Sequence, residues 1–138
     1  MKPLYTAVAT AIGGREGHVT SSDKLLDIDV RPPKELGGMG GATNPEQLFA
    51  AGYAACFEGA MQVVGRSTKV SVSGLSVTAR VTFNKNEGTP PYRLSVELHG
   101  KSSELSKEQL TSLMTAAHQI CPYSDATRGN IEVKLVAE

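Results

Sequence analysis

The amino-acid sequence predicts an α+β fold, with elements in the order three strands, a helix, two strands, a second helix and a last strand. Three observations predict this order. One long segment, 47–64, is almost entirely apolar or small, whereas several other segments alternate apolar and polar residues. The chain contains 14 glycines and 7 prolines, many of which separate these segments. The strand candidates follow one another in groups, which favours hairpins over βαβ crossovers.

The first third of the chain predicts three strands. Residues 4–12 are rich in Ala, Thr and Val, which favour strands, and the glycines at 13–14 end this segment. A short strand is expected at 18–22. The segment 25–30 alternates apolar and acidic residues, as a strand with one wet face does, and it ends at the Arg-Pro-Pro of 31–33.

The first helix has a clear start signal. Thr43 or Asn44 can act as the N-cap, Pro45 suits the first turn, and Glu46 is favoured at the positive end of the helix dipole. The apolar and small residues of 47–64 follow at helical spacings, so we expect this helix to be buried on most of its sides.

The second helix begins at Ser106. It should end near Cys121, because Pro122 disfavours a helical conformation in the residue before it. The remaining strand candidates are 74–84, 92–100 and 131–136, with a hairpin loop at 86–91.

Composition and charge argue against several classes of function. Fourteen Lys and Arg balance fourteen Asp and Glu, so the formal net charge is zero. Nucleic acids and anionic membranes select an excess of positive charge, and we expect neither as a partner. The length and the 40% hydrophobic content predict one globular domain over 1–138. No secretory signal and no uninterrupted apolar run near 18 residues is visible, so the expected location is the cytoplasm.

The two cysteines, Cys56 and Cys121, are candidates for chemistry, and the residues alone leave several interpretations open. Both could be small core residues, because free cysteine is among the most buried residue types. One could be a nucleophile with a histidine base, although no feature selects His18 or His118 for that role. They could also form a redox pair, in which one thiolate attacks and the second thiol closes a disulfide.

A metal site is not favoured. The sequence has no CxxC motif, and its three histidines, at 18, 99 and 118, are scattered. His118 and Cys121 are three positions apart on one predicted helix, but two ligands do not make a zinc site. We expect neither a bound metal nor a cofactor.

The redox interpretation requires a cation near the attacking thiol, because free cysteine has a pKa of about 8.5. Cys56 lies in the middle of its predicted helix, where the helix dipole helps little. Arg15, in the glycine-rich turn GGREG, can reach into a site from a flexible loop. Arg15 could equally be an ordinary solvated arginine, and Glu46 an ordinary carboxylate in a first helical turn.

Three motifs are the most specific parts of the chain. They are Gly13-Gly14-Arg15 with Gly17-His18, the run 33–57 (PKELGGMGGATNPEQLFAAGYAACF) and the run 121–130 (CPYSDATRGN). Together they resemble the organic hydroperoxide resistance protein family, relatives of the osmotically inducible protein C group. The resemblance covers the whole chain. Asp125 stands where the family often has asparagine, and Glu58 occupies a position that varies.

The resemblance implies a cysteine-based, thiol-dependent peroxidase that reduces organic hydroperoxides, alkyl or fatty-acyl, to alcohols. It implies that Cys56 is the peroxidatic thiol and Cys121 the resolving thiol, which together form an intramolecular disulfide. Arg15 and Glu46 would be the polar pair that keeps Cys56 as a thiolate. The implied reductants are external dithiols, notably lipoyl groups carried on proteins.

The same resemblance implies an intertwined homodimer in which antiparallel sheets wrap two long central helices, with the active sites at the interface. Two alternatives stay open: an osmotically inducible protein C-type peroxidase with a broader range of peroxides, and a non-catalytic dimer that binds apolar small molecules. An apolar wall is expected from Leu36, Met39, Phe49, Tyr53 and Phe57.

Helical geometry adds an expectation about the dimer. Glu46 and Cys56 are ten positions apart on one predicted helix, about 15 Å along its axis, and they do not share a face. A partner helix would bring its own Glu46 near Cys56. We therefore expect a composite site, with Cys56 and Cys121 from one subunit and Arg15 and Glu46 from the other.

Overall fold

A computed structural model describes all residues, 1–138. The chain divides into two compact units, Met1–Leu48 and Phe49–Glu138. Each unit contains one three-stranded sheet. The fold is therefore α+β, as the sequence predicts.

The N-terminal unit contains an antiparallel sheet of three short strands in the order β1-β2-β3. The strands are β1 (Ala9–Ile12), β2 (His18–Ser21) and β3 (Asp27–Asp29). The turn between β1 and β2 depends on glycine. Gly13 has a φ of +82°, and a Cβ on Gly17 would lie 1.7 Å from the carbonyl oxygen of Ile12. The turn itself is a short 3₁₀ segment, Gly14–Glu16, which contains Arg15.

The long helix α1 spans Pro45–Thr68. It starts where the capping residues predict, because the Asn44 side-chain oxygen accepts a hydrogen bond of 2.9 Å from the backbone N–H of Gln47. Of its 24 residues, only Tyr53, Phe57, Ala60, Met61 and Gly65 are buried. The expectation that the helix is buried on most sides is therefore wrong for the single chain.

By length and composition, α1 is also apolar enough to cross a membrane. However, the C-terminal unit buries one face of this helix in its core, and the rest of the helix includes the half-buried Glu58 and the exposed Arg66, both charged. We therefore interpret α1 as a core helix.

The C-terminal unit contains the second sheet, in the order β4-β5-β6. Its strands are β4 (Ser76–Lys85), β5 (Tyr92–Lys101) and β6 (Val133–Ala137). β4 and β5 form the expected antiparallel hairpin, whereas β5 and β6 are parallel, with Val96 opposite Val133. The prediction of hairpins without crossovers, and of purely antiparallel sheets, is wrong at this pair. Parallel neighbours require a long crossover connection, and here two helices provide it.

The crossover consists of α2 (Lys107–Ile120) and α3 (Pro122–Thr127). Ser106 caps α2 in a capping box with Gln109, as a local start signal predicts. The short α3 is missing from the sequence prediction, because Pro122 marks the end of one helix and also suits the first position of the next. Cys121 is the junction, acting as the C-cap of α2 and the N-cap of α3.

The hydrophobic core belongs to the C-terminal unit. It packs α1 and α2 against the buried residues of β5, and its members are Tyr53, Phe57, Ala60, Met61, Val96, Leu98, Leu110, Leu113, Met114, Ala117 and Cys121. Gly100 on β5 keeps space for α2, since a Cβ there would lie 2.5 Å from the Met114 sulfur.

Candidate active site

The C-terminal unit brings the two cysteines together. Cys56, on α1, and Cys121, between α2 and α3, are 65 positions apart in sequence, and their sulfurs are 3.5 Å apart. Both are free thiols, and their sulfurs are in hydrogen-bond contact. Cys121 is completely buried and Cys56 is half-buried. A disulfide requires an S–S distance of about 2.05 Å, so once one sulfur has been oxidised only a modest approach of the two would be needed to form the bond.

The surroundings of Cys56 within this unit favour the neutral thiol. Burial raises the pKa of Cys56, the backbone N–H of Tyr123 opposes that shift by hydrogen bonding to the sulfur, and the thiol of Cys121 adds to it. Reactive cysteines are usually thiolates. A reactive Cys56 therefore requires a further positive group.

Tyr123 approaches α1 closely because of a glycine. A Cβ on Gly52 would lie 2.7 Å from the Tyr123 hydroxyl oxygen, so a larger residue at position 52 would displace this ring. The Tyr123 ring also packs against Phe49 and Tyr53, with centroids 6.2 Å and 5.6 Å away. This packing places the Tyr123 backbone at the start of α3, where its N–H faces Cys56.

The N-terminal unit brings the two predicted polar residues together. Arg15 donates to both carboxylate oxygens of Glu46, from Nη1 at 3.1 Å and from Nη2 at 2.7 Å. Such a two-bond fork is stronger and more directional than a single contact. It lowers the pKa of Glu46 and raises that of Arg15. The fork leaves the side chain of Glu46 14% exposed and that of Arg15 47% exposed.

The four predicted residues thus form two pairs, Cys56 with Cys121 and Arg15 with Glu46. The cysteine pair belongs to the C-terminal unit and the charged pair to the N-terminal unit. The charged pair forms because the glycine turn between β1 and β2 presents Arg15, and the first turn of α1 presents Glu46.

The three histidines have other partners. His18 lies between Asp27 and Asp29 on the N-terminal sheet, and these carboxylates raise its pKa. His99 contacts Glu97 and Glu138. His118 hydrogen bonds through Nδ1 to Ser124. No group of three or more His, Cys, Asp or Glu side chains is arranged to hold a metal ion.

A hydrogen-bonded set of buried or half-buried side chains was missed by sequence reasoning, although Tyr53 was expected in an apolar wall and His118 was considered as a base or metal ligand. The members of this set are Tyr53, Ser124, Thr127 and His118. The available signal was the position of Tyr53, three residues before Cys56, and of Ser124, three residues after Cys121.

A groove of about 580 Å³ lies beside Tyr123 in the C-terminal unit. Phe49, Leu94 and Ile131 give it apolar walls, and Arg93 contributes a charge. Only Phe49 of the expected apolar wall lines it. Tyr53 and Phe57 are completely buried in the core, whereas Leu36 and Met39 are exposed residues of the N-terminal unit.

Known proteins resemble this chain over almost its whole length. The family model described as OsmC-like protein matches residues 38–136. The organic hydroperoxide resistance protein OhrA of Bacillus subtilis is 50% identical over 140 residues, covering 99% of both chains. An organic hydroperoxide resistance protein of Xanthomonas axonopodis pv. citri is 52% identical over 136 residues, covering 97% of this chain and 94% of that protein.

Solved structures agree with the fold. The crystal structure of an organic hydroperoxide resistance protein from Legionella pneumophila superposes with a TM-score of 0.94 at 48% identity, covering 99% of each chain. On this similarity of sequence and fold, the chain belongs to the organic hydroperoxide resistance family of OsmC-like proteins.

Proposed function

We propose that the protein is a thiol-dependent peroxidase that reduces organic hydroperoxides to alcohols. The contact between the sulfurs of Cys56 and Cys121, 3.5 Å apart, carries the proposal. Cys56 is only half-buried and can meet a substrate, whereas Cys121 is completely buried. The names of the relatives support organic hydroperoxides as the substrate class.

The proposed chemistry has three steps. The Cys56 thiolate attacks one peroxide oxygen, the O–O bond breaks, the sulfur becomes a sulfenic acid, and the departing alkoxide takes a proton to become an alcohol. The Cys121 sulfur then bonds to the sulfenic sulfur, and the displaced hydroxide leaves as water with the thiol proton. An external dithiol, of the lipoyl type, restores both thiols by exchange. No resident cofactor or metal takes part.

Arg15 is the proposed source of the positive charge that Cys56 requires. A guanidinium within about 4–6 Å of a thiol lowers the thiol pKa by 1–3 units. Glu46 alone would disfavour a thiolate, so its proposed role is to orient Arg15 through the two-bond fork.

We further propose that the active form is an intertwined homodimer and that its sites are composite, with two central α1 helices. In the single chain, Ala51, Ala55 and Val63 leave an apolar face of α1 exposed. A partner helix on that face would cover it. Cys56 and Cys121 would come from one subunit, and Arg15 and Glu46 from the other.

The groove beside Tyr123 suits the apolar part of an alkyl or fatty-acyl hydroperoxide. Its aromatic and aliphatic walls would bind a hydrocarbon chain better than they would bind hydrogen peroxide. We propose the cytoplasm as the location, and we propose neither a nucleic acid nor a membrane as a partner.

Two cysteine variants test the proposal. Cys56→Ser should lose at least about a thousandfold in consumption of tert-butyl hydroperoxide with a dithiol reductant, because a serine hydroxyl is a poor nucleophile at pH 7. Cys121→Ser should still react once and then accumulate sulfinic acid at Cys56, since no second thiol captures the sulfenic acid. Peroxide consumption and mass spectrometry of the Cys56 peptide measure these outcomes.

The same variants separate the alternatives. Consumption near the wild-type rate by Cys56→Ser would remove this residue from the reaction. If both native thiols react only after denaturation, the chain is instead a non-catalytic binder of apolar molecules. A broader peroxidase would reduce hydrogen peroxide as fast as the alkyl peroxide.

A further inference from the structure

A buried hydroxyl contact lies beside the two sulfurs. Tyr53, on α1, is three residues before Cys56, and Ser124, on α3, is three residues after Cys121. Both side chains are completely buried, and their hydroxyl oxygens are 3.0 Å apart. The sulfur contact and the hydroxyl contact are therefore two neighbouring links between the same two segments.

Two further residues extend this contact. The Tyr53 hydroxyl oxygen also lies 3.1 Å from the Thr127 hydroxyl oxygen, and the Ser124 hydroxyl oxygen lies 2.8 Å from His118 Nδ1. The Thr127 hydroxyl is also 3.1 Å from the Ser124 carbonyl oxygen, which can only accept. The four side chains therefore form one connected hydrogen-bonded set.

The set is compatible with either charge state of His118. Burial, and secondarily the charge of Arg128, lowers the pKa of His118. A neutral ring can donate or accept at Nδ1, and the imidazolium donates from that atom, so both can bond to the Ser124 hydroxyl. The set therefore acts as a tie between α1, α2 and α3.

We propose that Tyr53 and Ser124 are positioning residues for closure of the disulfide between Cys56 and Cys121. This inference rests on the proposed peroxidase function. In that step the Cys121 sulfur forms the S–S bond, the S–O bond of the Cys56 sulfenic acid breaks, and the hydroxide leaves as water with the Cys121 proton.

The tie acts through proximity. Closure requires the sulfurs to approach from 3.5 Å to about 2.05 Å. The Tyr53–Ser124 bond keeps α3 against α1, so that only this small approach remains when the sulfenic acid forms. Reactions between groups already held in place avoid the entropy cost of bringing them together.

Ellman's reagent separates attack from closure without peroxide. Attack by Cys56 releases the first thionitrobenzoate, and displacement of the mixed disulfide by Cys121 releases the second. In Tyr53→Phe, which removes only the hydroxyl, the second phase should slow by about tenfold and the first should change by less than about threefold. Tyr5→Phe, the same change at an exposed tyrosine, is the control and should match the wild type.

Ser124→Ala carries the same test from the other side of the contact, with the exposed Ser67→Ala as its control. Circular dichroism identifies a variant that does not fold. If either Tyr53→Phe or Ser124→Ala fails to fold, the slowing of the second Ellman phase relative to the first is measured in the other one. Under excess tert-butyl hydroperoxide, the slowed variants should divert more Cys56 into sulfinic acid than the wild type does.

Loss of stability alone would not change the ratio of the two phases. Equal slowing of both phases, or an unchanged second phase, would overturn the positioning role. If the wild-type chain shows both phases but consumes no organic hydroperoxide, the peroxidase function fails. The Ellman phases would still decide whether Tyr53 and Ser124 position the thiols.

Discussion

The two units of the chain differ in where their apolar residues lie. In the N-terminal unit only Val30 and Asn44 are buried, and all four residues of β1 are exposed. The C-terminal unit buries a continuous core that extends from Tyr53 on α1 to Cys121. The N-terminal sheet of the single chain therefore depends on backbone hydrogen bonds and glycine turns, whereas the C-terminal sheet depends on packing.

This difference matches the chemistry that each unit carries. Charged groups are costly to remove from water, and the Arg15–Glu46 pair lies in the unit with little core. Thiols cost little to bury; Cys121 is a member of the packed core, and Cys56 packs against it. The composite site proposed above would combine the partly hydrated Arg15–Glu46 pair with the buried thiol pair.

Mixing two inactive variants tests whether these pairs act across subunits. Cys56→Ser and Arg15→Ala are each expected to be impaired alone. In a composite site, a mixed dimer keeps one intact site, so equal mixing under subunit exchange should restore about a quarter of wild-type activity. Mass spectrometry of the native dimers checks the exchange. Confirmed exchange without recovered activity would place all four residues in one chain.

Matched leucine variants test the difference in packing. Leu98→Ala removes a completely buried side chain and should lower the free energy of unfolding by about 3 kcal/mol. Leu25→Ala, at an exposed leucine of the N-terminal unit, should change it by less than about 0.5 kcal/mol. Urea denaturation measures both. Similar costs at the two positions would show that the N-terminal unit has packing of its own in solution.

Matched arginine variants test the activator. Arg15→Ala should raise the pKa of Cys56 and slow its reaction with peroxide by about 10- to 100-fold at pH 7. The difference in rate between Arg15→Ala and the wild type should become smaller as the pH rises, because the Cys56 thiolate then forms without help from the guanidinium. The Arg31 side chain is as exposed as that of Arg15, and its Nη2 lies 3.9 Å from Oδ2 of Asp29. Arg31→Ala is therefore the control and should react with peroxide at the wild-type rate. Parallel pH–rate profiles for Arg15→Ala and wild type would exclude Arg15 from the site.

Local signals in the sequence predicted the fold well. The caps at Asn44 and Ser106 depend on residues within one turn, and both helices start where the caps indicate. The strand predicted at 4–12 is shorter, Ala9–Ile12, because composition does not reveal where a pairing partner ends. The parallel pairing of β5 and β6 was not predictable, since it joins residues that are far apart in the chain.

The candidate site was predicted through resemblance more than through local chemistry. No spacing rule places Cys56 3.5 Å from Cys121 across 65 positions, or joins Arg15 to Glu46. The buried Tyr53–Ser124 contact was missed for the same reason, because a tyrosine in an apolar helix is usually a simple core residue.

The crossover that carries Cys121 has a kinetic consequence. Its segment is fixed at one end by β5 and at the other by β6, through the ladder from Val96–Val133 to Gly100–Ala137. Cys121 itself is completely buried, so a foreign oxidant would meet its sulfur only when the segment between these two strands opens locally. The fold thereby reserves the second thiol for the one sulfur that already lies beside it.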